Sequence, residues 1–255
     1  MKLYFEQDGS GAPLVLLAGY GCDLTQWAAV RPRLRERHRL LLIDHRGVGR
    51  SECPDGPWTI EDMADDVASL LGELGLLRAH VLGHSLGAAV AQTLAVRHAT
   101  SVDKLVLCSP PLRLPPRTGA ALRALWRMRE RGVAPELLAE GLLPWIFSSG
   151  FLSVPQNIQA VVQMMVAAPF PQTLAGQTRQ LEALEGFDSH AWFREIARPT
   201  LVVTGEEDIC VARSDAQEIA AGVSGAWLTV LPGVAHLPMF EAPAELCRAV
   251  SDFCG

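Results

Sequence analysis

Ala79-His80-Val81-Leu82-Gly83-His84-Ser85-Leu86-Gly87-Ala88-Ala89-Val90-Ala91 is the stretch on which the fold turns. The apolar run Ala79 to Leu82 reads as a strand and passes directly into Gly83-His84-Ser85-Leu86-Gly87, a G-x-S-x-G. Helical spacing follows at once, over Leu86 to His98. A strand that turns straight into a helix around a serine is so tight that bulky side chains two positions to either side would collide. Gly83 and Gly87 supply the room. The order strand, motif, helix, more than the motif alone, marks Ser85 as a candidate nucleophile.

Outward from this turn, short apolar runs alternate with longer helix-like stretches. Leu14 to Leu17, Leu40 to Ile43, Leu105 to Cys108, Leu201 to Thr204 and Trp227 to Leu231 read as further strands. Thr25 to Glu36, Ile60 to Gly72, Ser214 to Ala221 and Pro243 to Phe253 read as helices. Such alternation predicts an α/β fold, a mostly parallel sheet with helices on both faces. Lys2 to Gln7 is expected as an antiparallel edge strand, joined to the next strand by the turn Asp8-Gly9-Ser10-Gly11. The alternation stops at Pro110-Pro111 and resumes near Arg198-Pro199-Thr200. Between them lies a strandless stretch with helical stripes such as Ile158, Val161, Val162 and Met165, and with Trp126, Trp145 and Trp192. A helical insertion between consecutive strands has to sit at or over the sheet edge. The expected organisation is therefore a core of residues 1–110 and 197–255 with a helical cap, or lid, of residues 111–196.

A serine hydroxyl needs a base to take its proton. Of seven histidines, His236 is best placed, in the loop Leu231-Pro232-Gly233-Val234-Ala235-His236 after the last predicted strand. Loops at the carboxyl ends of parallel strands are where sites of this fold class lie. His80 starts a strand, His98 ends a helix, His190 lies at the exit of the insertion, and His84 abuts the serine on a turn that points neighbours apart. The carboxylate that orients the base should come between serine and histidine in chain order, and Thr204-Gly205-Glu206-Glu207-Asp208 offers three candidates. An oxyanion hole needs two backbone N–H donors: Leu86, directly after the serine, and Tyr20 in the loop Leu17-Ala18-Gly19-Tyr20-Gly21. Gly19-x-Gly21 and Gly47-Val48-Gly49 are fragments of a dinucleotide fingerprint that neither completes, so no cofactor is expected, and no metal.

Bulk properties narrow the class. Hydrophobic residues make up 49% and charged residues 20% of the 255-residue chain, ordinary for a globular protein, and the net charge of −6 argues against a nucleic-acid binder. No apolar run is long enough to span a bilayer and the acidic N-terminus leaves no room for a signal peptide, so a cytoplasmic protein that does not engage a membrane is expected. Cys22, Cys53, Cys108, Cys210, Cys247 and Cys254 are scattered and read as free thiols.

Taken together, these segments resemble the α/β-hydrolase superfamily over essentially the whole chain. Leu16-Leu17-Ala18-Gly19-Tyr20 is similar to its oxyanion loop, Asp44-His45-Arg46-Gly47-Val48-Gly49-Arg50-Ser51 to its D-x-R-G-x-G-x-S turn, and Gly83 to Gly87 to its nucleophile elbow. Pro199 to Asp208 resembles its P-T-L-x-x-x-G-x-x-D strand, which favours Asp208 over Glu207 and Glu206 as the acid. Gly233 to Pro243 resembles its G-x-x-H-x-P-x-x-E-x-P histidine loop. Ala18-Gly19 stands where the family usually has His-Gly, which puts the rigidity of the oxyanion loop in question. Within the superfamily the chain looks most like the 3-oxoadipate enol-lactonase and pimeloyl-ACP methyl ester esterase group, with a four-helix cap between strands six and seven.

The resemblance implies a Ser85-His236-Asp208 triad acting on a small-molecule ester or lactone. Thioesterase, cofactor-free haloperoxidase and carbon–carbon bond hydrolase chemistry use the same residues, and a ligand receptor on a hydrolase scaffold is the non-enzyme alternative. Tyr20, Trp126, Trp145, Phe147, Met164 and Leu237 are the candidate substrate-pocket residues. Arg123, Arg127 and Arg131 recur at helical spacing, with Arg113 and Arg117 upstream, and form a candidate basic face for an acidic substrate or an acyl carrier protein.

Overall fold

The computed structural model describes residues 1–255. Its strands are β1 (Phe5–Asp8), β2 (Ala12–Leu17), β3 (His38–Ile43), β4 (Ala79–His84), β5 (Val102–Cys108), β6 (Thr200–Gly205) and β7 (Trp227–Leu231), in one sheet of order β1-β3-β2-β4-β5-β6-β7. All pairings are parallel except that of β1 with β3. The turn at Gly9-Ser10-Gly11 leads one to expect β1 beside β2. Instead β1 lies on β3, Phe5 opposite Ile43 and Asp8 opposite Leu40, because both edges of β2 are taken by β3 and β4.

The helices are α1 (Arg31–Leu34), α2 (Ile60–Glu73), α3 (Leu86–Arg97), α4 (Pro116–Glu130), α5 (Pro135–Ile146), α6 (Ser149–Leu152), α7 (Pro155–Val166), α8 (Leu174–Gly186), α9 (Arg213–Gly222), α10 (Pro238–Glu241) and α11 (Pro243–Cys254). The helix expected over Thr25 to Glu36 divides into a 3-10 turn, Leu24–Trp27, and the single turn α1. Pro32 lacks the N–H that would continue an earlier helix, so the helix restarts beside it.

Alternate strand residues feed two cores. Val15, Leu17, Leu41, Ile43, Val81, Leu105 and Val202 pack toward α2, α3 and α9. Leu14, Leu16, Leu40, Leu42, Leu82, Val106 and Val203 pack with Leu34 of α1 and Leu246 and Val250 of α11. A sheet covered on both faces reads as continuous apolar runs for this reason. Small residues Ala88, Ala89 and Ala91 let α3 lie close on the strands, and α2 begins on a Thr59–Asp62 capping box.

Helices α4 to α8 form the insertion, between β5 and β6. Five strands precede it and two follow, so in this seven-stranded sheet it does not fall between strands six and seven. Each of α4, α5 and α7 begins on a proline, where the missing N–H costs nothing. The far end of the insertion belongs to the core: Leu184, Phe187, Phe193 and Ile196 join the α2–α3 cluster. Trp192, expected in the lid, packs there too, edge-on to Phe187 at 6.0 Å between ring centroids.

Candidate active site

Ser85 sits between β4 and α3 with φ +53° and ψ −116°, a backbone conformation that few non-glycine residues adopt. The two glycines are required by close approach. A Cβ on Gly83 would run into the Gly87 carbonyl oxygen, and one on Gly87 into that of Leu17. The Ser85 N–H is held by the Cys108 carbonyl at 3.0 Å.

From this elbow a line of polar contacts runs to the acid strand. His236 Nε2 lies 3.0 Å from Ser85 Oγ, and His236 Nδ1 lies 2.9 Å from Asp208 Oδ2. Asp208 Oδ1 accepts the N–H groups of Cys210 at 2.9 Å and Val211 at 3.0 Å. Burial alone would raise the Asp208 pKa, but the charge and hydrogen bond of His236, together with the Val211 N–H, overcome it and hold the carboxyl below its usual range. Glu206 and Glu207 are exposed and turn elsewhere, Glu206 to Gly233 N–H and Glu207 to Ser149 N–H.

The backbone of His236 is fixed as well. Its N–H donates to Ile146 O of α5 at 3.2 Å, and its carbonyl accepts from His84 Nε2 at 2.8 Å. Burial pushes the His84 pKa down to about 3, so this ring is a neutral strut. Glu241 takes Ala235 N–H at 2.9 Å and Ser148 N–H at 3.1 Å, tying the histidine loop to the insertion a second time.

In the glycine loop after β2, Gly19 N–H donates to Gln26 Oε1, Gly21 N–H to Gln180 Oε1 and Cys22 N–H to Gly19 O. Tyr20 N–H alone in this run has no acceptor. The Leu86 N–H, first in α3, is likewise free of an intrahelical partner. The six cysteines are all unbridged, and burial pushes Cys22 and Cys210, which flank these loops, up to about 12, so neither thiol competes as a nucleophile.

Residues 12–243 match the family described as alpha/beta hydrolase fold. The chain belongs to that family. A protein of Caulobacter sp. strain K31 named carbamate hydrolase RutD is 31% identical, over 98% of this chain and 95% of its own length. The solved structure of a hydrolase from Pseudomonas aeruginosa PA01 is 32% identical at TM-score 0.85, covering 99% of this chain and 94% of that one. The enol-lactonase from Burkholderia xenovorans LB400 is 27% identical at TM-score 0.88, covering 99% and 96%. This α/β-hydrolase has no helix long and apolar enough to cross a membrane.

The expected pocket residues scatter across this hydrolase fold. Tyr20 lies against α8, its hydroxyl 3.3 Å from Gln177 O, and Leu237 is buried directly after His236. Trp126 spends its indole N–H on Thr178 inside the insertion, at 2.9 Å. Phe147 stacks on Phe151 at 4.3 Å and meets Phe240 edge-on, so it packs the seam between insertion and core. Trp145 is half-buried on α5. Met164 is 48% exposed on α7, because the buried stripe of that helix runs through Val161. Two surface clefts of about 400 Å³, one around Arg31 and Arg50 and one around Arg179 and Glu182, include none of Ser85, Asp208 or His236. Sequence reasoning missed Gln26, Gln180 and Ile146 O. No motif marks them, since each acts through an amide or a carbonyl that many residues could supply.

Proposed function

We propose that this α/β-hydrolase cleaves a carboxylic ester or lactone through an acyl-serine intermediate, with Ser85 as nucleophile, His236 as general base and Asp208 as its orienting acid. The observation that carries this reading is the unbroken line Ser85 Oγ, His236 Nε2, His236 Nδ1, Asp208 Oδ2, with both links within 3.0 Å. The Ser85 hydroxyl attacks the substrate carbonyl carbon as its proton passes to His236 Nε2. The carbonyl oxygen becomes an oxyanion between the N–H groups of Leu86 and Tyr20. The intermediate collapses, and the departing alkoxide takes the proton from His236; a lactone opens here and stays attached as acyl-serine. Water, deprotonated by the same nitrogen, then releases the acid. Asp208 keeps Nδ1 protonated and so leaves Nε2 free to accept. Within residues 111–196, helices α4 to α8 act as a lid over this centre, a reading supported by the bonds of Ile146 and Gln177 to the His236 and Tyr20 segments.

A second reading is favoured by the relatives named carbamate hydrolase. Attack by the same serine on a carbamate would give a carbamoyl-serine, with the same two donors on the oxyanion. Purified protein should be assayed on p-nitrophenyl acetate, a lactone, an alkyl carbamate and an acyl thioester, beside Ser85→Ala and His236→Ala. Steady multiple turnover of the ester or lactone is expected. Each variant should lose a factor on the order of 10⁴ to 10⁶ in kcat, with little further loss in the double variant. Preference for the carbamate or the thioester would reassign the substrate class, and one slow turnover would favour a receptor. A Ser85→Ala protein with more than about a tenth of the activity would remove Ser85 from the chemistry altogether.

A further inference from the structure

The loop carrying Tyr20 lacks the histidine that the family usually has at position 18, yet two buried glutamines grip it, one on each side of Tyr20. Gln26, at the end of the 3-10 turn after the loop, accepts Gly19 N–H at 3.0 Å and faces His84 Nδ1 with its amide nitrogen at 3.2 Å. His84 in turn donates to the His236 carbonyl. The core-side grip is thus one chain of bonds from the Tyr20 segment to the backbone of the base. Gln180, on α8 of the insertion and fully buried, accepts Gly21 N–H at 3.1 Å and the Gln172 amide at 3.0 Å, and donates to Arg46 O at 3.2 Å. Every polar atom of both side-chain amides is used, as buried polar groups require.

These bonds consume the N–H groups before and after Tyr20 and leave that of Tyr20 alone without an acceptor. A peptide plane whose two neighbours are pinned has little freedom to turn, so the Tyr20 N–H is held in one direction before any substrate arrives. Such preorganisation is what makes an oxyanion donor effective, because no reorganisation remains to be done as charge develops.

We propose that Gln26 and Gln180 are positioning residues that together aim the Tyr20 N–H at the developing oxyanion, so that the insertion, through Gln180, completes the catalytic geometry of the core. The inference rests on the acyl-serine reading above. It makes α8 part of the oxyanion machinery and predicts a loss that appears in kcat and leaves substrate binding in place.

The test compares Gln26→Met, Gln180→Met and the conservative Gln180→Glu in the full chain. The measurements are kcat and KM on p-nitrophenyl acetate, the affinity for a trifluoromethyl ketone that forms a tetrahedral adduct with serine, and the thermal midpoint. Each Met variant should lose a factor on the order of 10 to 100 in kcat with KM within about twofold, since a full oxyanion donor is worth 10² to 10³. Ketone affinity should fall in parallel. Gln180→Glu keeps an oxygen toward Gly21 N–H but sets a second acceptor against Arg46 O, so it should recover kcat only in part. Folded Met variants with wild-type kcat, or with kcat and KM changed while ketone affinity stays put, would overturn the proposal. Should a Met variant fail to fold, Gln180→Asn decides in its place: it keeps the amide but falls short of the loop, and wild-type kcat there overturns the proposal equally. Failure of the underlying reading is separate, because Ser85→Ala would then stay active whatever the glutamine variants do.

Discussion

Helices α3 and α7 have the same length, twelve residues, and opposite surroundings. In α3 everything from Leu86 to Ala95 is buried between the sheet and α2, whereas α7 buries Val161 alone and leaves Met164, Met165 and Val166 at the surface. The same contrast separates β4 from α4. β4 is buried along its whole length, while fifteen-residue α4 buries only Thr118 and Gly119. Burial fixes the core. The insertion is held by polar seams, Ile146 O to His236 N–H, Ser148 to Glu241, Ser149 to Glu207 and Gln180 to Gly21, and by apolar contacts at Leu143 and Phe147 and, at its far end, at Leu184, Phe187, Phe193 and Ile196. Few buried residues mark α4 and α7 as regions of low local stability, so the residues proposed for the chemistry stand on the more deeply buried part of the fold.

The largest effect that would sharpen this division lies in the core loops. Asp208→Asn should lower kcat by roughly 10⁴, by presenting the wrong tautomer of His236, while Glu207→Gln, which touches only the Ser149 seam, should stay within about twofold. Steady-state kinetics decide it, and a large loss at Glu207 would put the orienting acid at a seam of the insertion.

Acid should also separate the two regions. His38, His45, His80 and His84 are all buried in the core, and burial lowers the pKa of each, His45 to about 4 and His84 to about 3. The one histidine of the insertion, His190, is exposed. Folded pKa values below the unfolded value of about 6.5 mean that the unfolded chain binds more protons between the two. Stability is therefore full above about pH 6.5 and is lost as pH falls toward the folded values, by up to about 1.4 kcal/mol per histidine per pH unit. The thermal midpoint should drop between about pH 6.5 and 4, and His38→Leu, which removes a ring whose two nitrogens are buried without partners, should flatten the slope. An unchanged midpoint across that range would show that these rings find partners in the folded state.

The smallest effect concerns the basic face of α4. Arg123 is paired with Glu185 at 2.8 Å, and Arg129, which the helical spacing does not single out, is spent on Gln177 and Gln172. That leaves Arg127 and Arg131, with Arg117 in the first turn, exposed and unpaired on α4 and its C-cap. An Arg127→Ala/Arg131→Ala protein should lose about twofold in kcat/KM on an acidic ester at low salt and nothing on a neutral one. Identical salt profiles for the two esters would leave the patch as ordinary surface.

The elbow was legible because a steric requirement writes itself into sequence: no residue but glycine fits at 83 or 87. The strands were legible because burial on both faces forces continuous apolar runs such as Leu14 to Leu17. Candidate positions for base and acid followed from loop placement at strand ends. The partner of β1 was not legible, since the turn after it fixes a reversal of direction but not which open edge receives the strand. Nor were Gln26 and Gln180, whose value lies in a distance across the fold. In the insertion, aromatic content drew attention to Trp126 and Phe147, which the structure employs in packing, and the prolines that begin its helices were the more informative signal.

The backbone of Ser85 carries a further consequence. A non-glycine residue at φ +53° and ψ −116° stores on the order of 1–3 kcal/mol, and the surrounding fold has to hold it there. Glycine at this position would release that strain while removing the hydroxyl. The serine proposed as nucleophile is thus held against a local gradient, and Ser85→Gly should raise stability as it removes the hydroxyl. On the proposed mechanism stability and reactivity are traded at a single residue, and the direction of that trade tells an engineer which substitution should make an inactive but sturdier scaffold.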